Sequence, residues 1–483
     1  MATRKGDCKR RINSESRSRL GARSPSPVAK SPAGLSPNYP LNYRQITLYT
    51  SVAMQSRKSA SPTPIIRYRS RTVDSELSDR LRGAGAVVIE GPRACGKTST
   101  ARRLAASEAL LDTDENSRRM VNADPSAALA GAIPRLFDEW QVVPSIWNHV
   151  RRAVDDRGAP GQFILTGSAV PADDITRHTG AGRFSRLRMR PMSLFELGVS
   201  SGSTSLGGLL GGLNPPAMQS ALTVSSVAEV LCAGGWPGNL GAPTERQIRV
   251  NRDYLEEIRR VDLPRVDGRS RDPIRVGRLL RSLARNVATP VSVSRLASEA
   301  GGSDRALKAD TAADYLDSLE RLMVVENQPA WSPHLRSRTA LRTTPVRHFT
   351  DPSLAVAALK ATPARLMADL RFLGFLFESL VVRDLRIYAQ AADAEVFHYR
   401  EKEGLEVDAI VDAGDGRWAA FEVKLGDRWV DDGAASLLRL RDRLRGNRDG
   451  YHEPSALCVI VPGGGGYRME NGVRVVPVGA LGP

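Results

Sequence analysis

Apolar residues form short, evenly spaced runs in the first half of the chain. The run at 86–90, Ala-Val-Val-Ile-Glu, has the length of a buried parallel strand and ends directly before Gly91. Three further runs of this kind follow, at residues 109–111, 135–137 and 162–165. Helix-forming stretches separate them, and strands that alternate with helices predict a parallel sheet with helices on both faces. We therefore expect an α/β core over residues 65–198.

The pattern changes after this core. Residues 199–222 are rich in Gly and Ser, which predicts a linker, and residues 223–272 have the periodicity of a helical lid. Within 273–365, two helices, a turn, a longer helix and an extended segment predict a winged helix. A long apolar helix followed by a hairpin predicts a last α/β domain at residues 366–483.

Positive charge is concentrated at the N-terminus. Residues 1–72 contain 15 Lys and Arg against Asp7 and Glu15, which accounts for +13 of the formal net charge of +16. The rest of the chain is nearly neutral, so the charge favours a disordered Ser/Pro-rich tail at residues 1–64 over a general nucleic-acid binder. Met54 lies within this tail, and the sequence leaves open whether translation starts there or at Met1.

Cysteine usage and hydropathy exclude several classes of protein. Cys8, Cys95, Cys232 and Cys458 are far apart and match no disulfide or metal-binding spacing. No apolar run has the length of a membrane span, and the basic N-terminus is not followed by an apolar signal segment. We therefore expect a cytoplasmic protein without membrane contact.

Residues 91–98, Gly-Pro-Arg-Ala-Cys-Gly-Lys-Thr, match the P-loop pattern between an apolar strand and a helix-forming stretch. Backbone N–H groups of such a loop surround phosphates, and the helix N-terminus adds partial positive charge. Lys97 is expected to contact the β- and γ-phosphates and Thr98 to bind Mg²⁺, so the predicted ligands are ATP and Mg²⁺. The predicted nucleotide-binding residues are Gly91, Pro92, Arg93, Ala94, Cys95, Gly96, Lys97, Thr98, Ser99 and Thr166.

Asp138 and Glu139 directly follow the apolar run at 135–137. We expect Asp138 in the Mg²⁺ shell and Glu139 as the catalytic base that activates the attacking water, with Lys97 as the catalytic cation. An ordinary surface turn is the alternative, which the upstream P-loop disfavours. Thr166 or Ser168, at the end of the next strand, is a candidate sensor of the γ-phosphate, and a plain turn stays open there.

Arginines are frequent between residues 177 and 190. An arginine that reaches the γ-phosphate from another element stabilises the transferring phosphoryl group. We predict Arg183, which follows Gly182, as this arginine finger, and we expect most of its neighbours to be solvated.

Several short motifs resemble those of prokaryotic AAA+-type ATPases in which a domain of unknown function follows the ATPase core. They are Glu-Gly-Pro-Arg at 90–93, Phe-Asp-Glu-Trp-Gln at 137–141, Leu-Thr-Gly-Ser at 165–168, Pro-Met-Ser-Leu-Phe-Glu-Leu at 191–197 and Gly-Gly-Trp-Pro at 234–237. The resemblance covers about residues 64–430. It implies a P-loop ATPase core, a helical lid with a winged helix, and a C-terminal domain similar to restriction endonucleases. The resemblance indicates the domain architecture of the chain rather than its biological role.

Four ionisable residues of the last domain have the spacing of a nuclease site. Glu422 and Lys424 are two residues apart on a predicted strand, so their side chains share a face, and Asp408 lies on the partner strand. With Glu378 from the apolar helix they resemble the PD-(D/E)xK nuclease pattern. Glu378, Asp408 and Glu422 would bind a divalent metal, with Lys424 beside the attacking water. Plain salt bridges in a fold kept for binding are the alternative.

The resulting hypothesis is an ATPase whose nucleotide cycle controls a nuclease-like domain that acts on DNA, contacted through that domain or the basic tail. The alternative is a nucleotide-gated protein-binding switch with an inactive nuclease-like domain; whether the chain forms a homo-oligomer stays open. The predicted recognition helix at 308–321 carries two basic and four acidic side chains, which disfavours contact with phosphates. We therefore expect the winged helix to pack between the other two domains.

Overall fold

The computed structural model describes residues 68–168, 179–267, 271–301, 307–333, 342–401, 403–446 and 452–483. The predicted tail at 1–64, including Met54, lies outside these residues. Within them, a five-stranded and a seven-stranded sheet form the framework of the fold.

The five-stranded sheet is parallel throughout and has the order β2-β3-β4-β1-β5. Its strands are β1 (Ala86–Glu90), β2 (Ser107–Leu110), β3 (Arg135–Asp138), β4 (Phe163–Gly167) and β5 (Phe184–Arg188). Ala86 and Val88 lie in one apolar core, whereas Val87 and Ile89 lie in another. Because side chains alternate between the faces of a strand, a continuous apolar run is what burial on both faces requires. The predicted parallel sheet is confirmed.

Helices cover both faces of this sheet. They are α1 (Val73–Gly83), α2 (Lys97–Ala101), α3 (Glu115–Ala123), α4 (Pro125–Leu129) and α5 (Ile146–Arg157). Trp147 of α5 packs with Phe137 and Phe163 on one face. Leu77 of α1 packs with Ile164 on the other. The two helices therefore close the two apolar cores from opposite sides.

Residues 199–222 do not form the predicted linker. They contain β6 (Thr204–Ser205), α6 (Leu206–Leu210) and β7 (Met218–Ser220). The high Gly and Ser content obscured three leucines in α6 that have the spacing of one helical face and are buried. β6 pairs with β16 (Leu481–Gly482), and β7 pairs with β14 (Gly464–Arg468). This segment is thus part of the C-terminal sheet region.

The described residues between 224 and 367 are mainly helical. Their helices are α7 (Val224–Ala233), α8 (Thr244–Glu257), α9 (Leu263–Asp267), α10 (Pro273–Arg285), α11 (Val293–Gly301), α12 (Ala309–Arg321), α13 (Ser353–Ala358) and α14 (Pro363–Met367). After α12, β8 (Val325–Gln328) pairs in antiparallel fashion with β9 (Val346–Phe349). The order α10, α11, α12 and extended β8 is the one that the sequence predicted, whereas the pairing of β8 with β9 was not predicted. The assignment as a winged helix stays a prediction.

The seven-stranded sheet is mixed and has the order β10-β11-β12-β13-β15-β14-β7. Its remaining strands are β10 (Glu395–Arg400), β11 (Glu406–Asp412), β12 (Trp418–Val423), β13 (Ala456–Val461) and β15 (Arg474–Pro477). The helices α15 (Leu370–Ala391) and α16 (Val430–Arg445) pack against it. Phe421 lies in the core shared with α15, and Ala420 lies in the core shared with α16. The two helices therefore cover opposite faces of β12.

A buried arginine joins distant segments of the chain. The side chain of Arg383 in α15 pairs with Asp351 at 2.8 Å and with Asp384 at 2.7 Å, and all three are buried. Asp351 also accepts a hydrogen bond from the backbone N–H of Gly235 at 2.9 Å, and Asp384 accepts one from Leu194 at 3.0 Å. Two of the motifs that carry the family resemblance are thus held on α15 by one ionic cluster.

Replacement of Arg383 by Met should destabilise the fold by about 3–5 kcal/mol, because two carboxylates would stay buried without their cation. Chemical denaturation followed by circular dichroism measures this change. Arg417→Met is the matched control, since Arg417 pairs with Asp415 on the surface and its loss should leave the unfolding midpoint nearly unchanged. Equal midpoints for the two variants would contradict a stabilising role of the cluster.

Candidate functional site

The loop between β1 and α2 is folded around the ammonium group of Lys97. Lys97 Nζ donates hydrogen bonds to the carbonyl oxygens of Gly91 and Pro92, both at 3.0 Å, and to Ser168 Oγ at 2.9 Å. Gly96 has a φ of 105°, a left-handed conformation that glycine adopts without steric cost. The loop therefore has the backbone that the predicted P-loop requires, and its lysine is buried beside it.

Hydroxyl groups connect the carboxylates of Asp138 and Glu139, at the end of β3, to the P-loop. Thr98 Oγ1 donates to Asp138 Oδ1 at 2.8 Å, and the Thr166 hydroxyl donates to the same carboxylate. Ser168 Oγ donates to Glu139 Oε1 at 2.9 Å. The structure thus brings the predicted Mg²⁺ ligands Thr98 and Asp138 together. Of the two sensor candidates, Ser168 contacts both Lys97 and Glu139, whereas Thr166 is buried against Asp138.

A cavity of about 840 Å³ opens beside the P-loop. Its walls include Arg93, Ala94, Gly96, Lys97, Thr98, Ser99, Glu139 and Ser168. Pro92 and Cys95 are buried behind the loop and do not line the cavity. The volume is in the range of about 300–1,000 Å³ that is typical of small-molecule sites. The cavity therefore offers the predicted phosphate-binding groups to a ligand of nucleotide size.

An arginine from outside the P-loop motif supports the loop from behind, and no local sequence pattern predicted it. Arg71 Nη1 donates to the Cys95 carbonyl at 2.8 Å, and Nη2 donates to the Arg190 carbonyl at 2.7 Å. Glu196 in turn pairs with Arg71 Nε at 3.1 Å and accepts the Ser193 backbone N–H at 2.8 Å. The 191–197 motif is thereby connected to the phosphate-binding loop, and Arg71 had looked like one of many tail arginines.

The helical lid reaches the open side of the cavity. Arg93 Nη1 pairs with Asp262 at 2.9 Å, and the Tyr254 hydroxyl donates to the Arg93 carbonyl at 3.4 Å. Burial raises the pKa of Asp262, and the Arg93 guanidinium opposes that shift. Arg265 of α9 lines the same cavity. Periodicity predicted these helices, but it could not indicate which of their residues face the P-loop.

Arg183 does not lie near the P-loop of its own chain, so the structure contradicts an arginine finger that acts within one chain, and a role toward a neighbouring chain stays a prediction. Its Nε donates to Asp155 at 2.8 Å, and its carbonyl accepts the backbone N–H of Ala86. β1 and β5 are parallel, with Ala86 opposite Phe184 at the first residue of each strand. Arg183 therefore lies at the start of β1, whereas the P-loop follows the end of that strand.

Three of the four predicted nuclease-site residues meet at the open end of the β11–β12 hairpin, which is the end away from the turn. The antiparallel register ends at Ala409 opposite Phe421, so Asp408 and Glu422 are the next residues on the two strands. Lys424 Nζ pairs with Glu422 and lies 3.9 Å from Asp408 Oδ2, which accepts the backbone N–H of Val423 at 2.7 Å. Asp408, Glu422 and Lys424 thus form an acid–lysine cluster.

The carboxyl groups of this cluster lie close enough together to raise one another's pKa. Burial and the charge of Asp408 raise the pKa of Glu422 to about 8. Burial, Asp408 and Glu422 also raise the pKa of Glu378, a half-buried residue of α15. Burial would lower the pKa of Lys424, but the neighbouring carboxylates Asp408 and Glu422 raise it. Glu378 is therefore electrostatically coupled to the cluster, and a cation would relieve the repulsion.

Lys424 occupies the space between the carboxylates. Within the described residues, no group of three or more His, Cys, Asp or Glu side chains is arranged to hold a metal ion. The metal-binding role of Glu378, Asp408 and Glu422 therefore stays a prediction. In the same part of the chain, no helix combines the length and the apolar character that crossing a membrane requires.

Comparison with known proteins divides the chain into three consecutive parts. Residues 84–198 match a family described as an AAA domain. With the P-loop geometry, this match supports an AAA-type P-loop ATPase domain. Residues 224–365 and 373–481 match two families described as domains of unknown function, DUF8612 and DUF4143. These two matches assign no activity to the part of the chain after the ATPase domain.

Relatives that match over most of the chain do not indicate an activity either. The chain is 26% identical over 360 residues to an uncharacterized protein of Mycobacterium bovis and to one of Mycobacterium tuberculosis, with 73% of each chain covered. Among solved structures it is similar to a Walker-type ATPase of Pyrococcus abyssi, with 13% identity and a TM-score of 0.36. That comparison covers 61% of this chain and 99% of the other.

Lys97→Ala should lower the ATP hydrolysis rate about 10²–10³-fold, because the loss of one charged donor to the transferring phosphoryl group has this order of effect. Phosphate release by the purified full chain measures it. Arg183→Ala is the matched control and should hydrolyse ATP at the wild-type rate, since Arg183 lies at the opposite end of the sheet strand. Loss of activity in Arg183→Ala would reinstate the arginine finger, acting from a neighbouring chain.

Proposed function

We propose that the chain hydrolyses ATP with Mg²⁺ and that this cycle controls a second site at the C-terminal acid–lysine cluster. The observation that carries the first half is the hydrogen-bonded path Lys97–Ser168–Glu139, which connects the phosphate-binding cation to the predicted base through one hydroxyl. When Lys97 moves from the loop carbonyls to a phosphate, this path would change the position of Glu139.

The residues around the P-loop fit Mg²⁺. Thr98 and Asp138 supply hydroxyl and carboxylate oxygens, the ligands that Mg²⁺ prefers, and they would hold it. Bound there, Mg²⁺ supplies charge neutralisation to the β- and γ-phosphates. Lys97 exchanges its bonds to the Gly91 and Pro92 carbonyls for phosphate oxygens, and Glu139 accepts the proton of the attacking water.

The position of Glu139 requires a strained backbone. Its φ is 52°, which is uncommon for residues other than glycine, and its carboxylate is held by Ser168 and by the Gln141 amide. Residues in this conformation persist when the surrounding contacts fix them, and they are concentrated at active sites. The strain is consistent with a base held at a defined position on the edge of the cavity.

Glu139→Gln and Asp138→Asn should affect ATP turnover differently. Glu139→Gln should bind Mg²⁺-ATP as tightly as wild type and lower kcat about 10²–10⁴-fold, because proton transfer alone is lost. Asp138→Asn should also weaken binding, since it removes a charged Mg²⁺ ligand. Calorimetric titration with a non-hydrolysable analogue gives Kd, and phosphate release gives kcat. Equal Kd values for the two variants would contradict these separate roles.

For the second site we propose metal-dependent cleavage of phosphodiester bonds. Asp408 and Glu422 would hold a divalent cation together with Glu378, and bound there it would activate water and polarise the phosphate. Lys424, held between the two carboxylates, would contact the attacking water or the scissile phosphate. The observation that supports this function is the convergence of Asp408, Glu422 and Lys424, with the pKa of Glu422 raised to about 8.

Control of this second site by ATP is supported by a shared buried carboxylate. Glu326 of β8 pairs with Arg188 at 2.8 Å, Arg190 at 3.1 Å and Arg386 at 2.9 Å. Arg188 is the last residue of β5, opposite Glu90 at the end of the P-loop strand. Arg386 belongs to α15, the helix that carries Glu378. One glutamate therefore connects the ATPase domain to the helix beside the acid–lysine cluster.

Metal binding at the cluster should depend on pH. Between the usual pKa of a glutamate and about 8, the folded chain holds a proton on Glu422 that the unfolded chain has lost. Metal-free stability should therefore decrease as pH rises through this window. Because Mn²⁺ must displace that proton, its stabilising effect should be larger near pH 8 than near pH 6. Melting temperatures with and without Mn²⁺, in the absence of nucleotide, measure both effects.

Two variants sharpen this test. Asp408→Asn should lose most of the Mn²⁺ response, whereas Asp415→Asn, in the exposed turn of the same hairpin, should keep it. Lys424→Ala should keep the Mn²⁺ response and lose nicking of plasmid DNA. An unchanged Mn²⁺ response in Asp408→Asn would exclude the metal site. Metal binding without nicking by the wild type, with or without ATP, would favour a nucleotide-gated binding switch.

A further inference from the structure

An exposed tryptophan, Trp429, follows the last residue of the acid–lysine cluster by five positions along the chain. Trp429 is 47% exposed, and its backbone N–H donates to the Gly426 carbonyl at 3.0 Å, directly after Lys424 and Leu425. The Arg428 guanidinium lies over the indole, 5.0 Å from the ring centroid. An exposed indole is a flat apolar surface, and a planar ligand that covers it gains the free energy of removing that area from water.

Helix α16 sets the distance between this tryptophan and the cluster. The helix begins directly after Trp429, and its first turn packs against the cluster. A Cβ at Gly433, in that turn, would be 3.2 Å from Lys424 Cε and 3.4 Å from Glu422 Cβ. Trp429 therefore lies about one helical turn along the chain from the part of α16 that contacts Lys424.

One arginine beside the indole keeps its charge available. Arg428 is exposed and forms no ion pair with another residue in the described ranges. Cations of this kind contact phosphate groups readily, because no local carboxylate has to be displaced first.

We propose that Trp429 and Arg428 form a stacking platform for an unpaired nucleobase, and that the substrate of the acid–lysine cluster is single-stranded nucleic acid. The assignment rests on the phosphodiesterase site proposed above. Every base offers a π-face, so an exposed indole next to an arginine binds bases without regard to sequence. A base held there would position the adjoining phosphate toward Lys424.

Acidic residues around the platform favour a single strand over a duplex. Asp431 and Asp432, in the first turn of α16, are exposed, as is Asp427. A duplex has a charged phosphate backbone on both sides and stacked bases inside, so it would meet these carboxylates without gaining a stacking contact. An unpaired strand can contact the indole through a base while an adjoining phosphate faces Arg428.

Fluorescence anisotropy of a dye-labelled oligothymidylate tests this proposal with the full chain. Ca²⁺ replaces Mg²⁺, and salt at about 0.2 M weakens phosphate contacts of the basic N-terminal residues. Wild type should bind the oligothymidylate more tightly than a duplex of equal length. Trp429→Ala should raise Kd roughly tenfold or more, whereas Trp429→Phe should stay near the wild-type value because a phenyl ring still stacks. Tyr467→Ala, an exposed aromatic on β14, is the matched control and should not change Kd.

The outcomes separate this proposal from the phosphodiesterase function. Asp408→Asn should cleave none of the oligothymidylate in Mn²⁺, and adding Trp429→Ala to this variant should still raise its Kd. If wild type does not cleave but its binding depends on Trp429, the phosphodiesterase function fails and the stacking platform stands. Equal Kd values for wild type and Trp429→Ala, tighter binding of the duplex, or no binding of the oligothymidylate by wild type would each overturn the platform.

Discussion

The burial of Arg383 between Asp351 and Asp384 is the constraint on which the arrangement of the chain depends. An unpaired guanidinium cannot be buried without a large free-energy cost, so the packing of α15 is stable only with both carboxylates beside Arg383. Asp384 is itself held by the backbone of Leu194, and Asp351 by that of Gly235. The lid and the end of the ATPase domain therefore adopt the one arrangement in which this charge is compensated.

The sequence predicted those features that depend on neighbours along the chain. The strand before Gly91, the glycine-rich loop and the two carboxylates after β3 are local patterns, and the structure brings them together at one edge of the sheet. The hairpin that holds Asp408 and Glu422 is local in the same sense. Contacts between remote segments, such as Arg71 with the Cys95 carbonyl, had no local pattern and could not be predicted.

Two errors show which physical information the sequence patterns lacked. Gly and Ser content describes the average of residues 199–222, whereas burial depends on the spacing of a few leucines within α6. Arg183 was selected for its flanking glycine, but the direction and register of β5 decide which end of the sheet it reaches. The amino-acid composition of a segment carries no information on the direction in which a strand runs through the sheet. The first error therefore missed a local pattern that average composition obscured, and only the second depended on tertiary pairing.

Helix α15 carries Glu378 and is connected to the ATPase domain through the ion pair of Arg386 with Glu326. Arg386 and Glu378 are eight residues apart, about 12 Å along the helix axis. Glu326 is shared by two arginines of the ATPase domain and by Arg386, so a shift of β5 would change how its charge is divided among them. Coupling between sites requires an element that both of them bias. Because the helix is buried along much of its length, a displacement at Arg386 would be carried to Glu378 rather than absorbed by solvent.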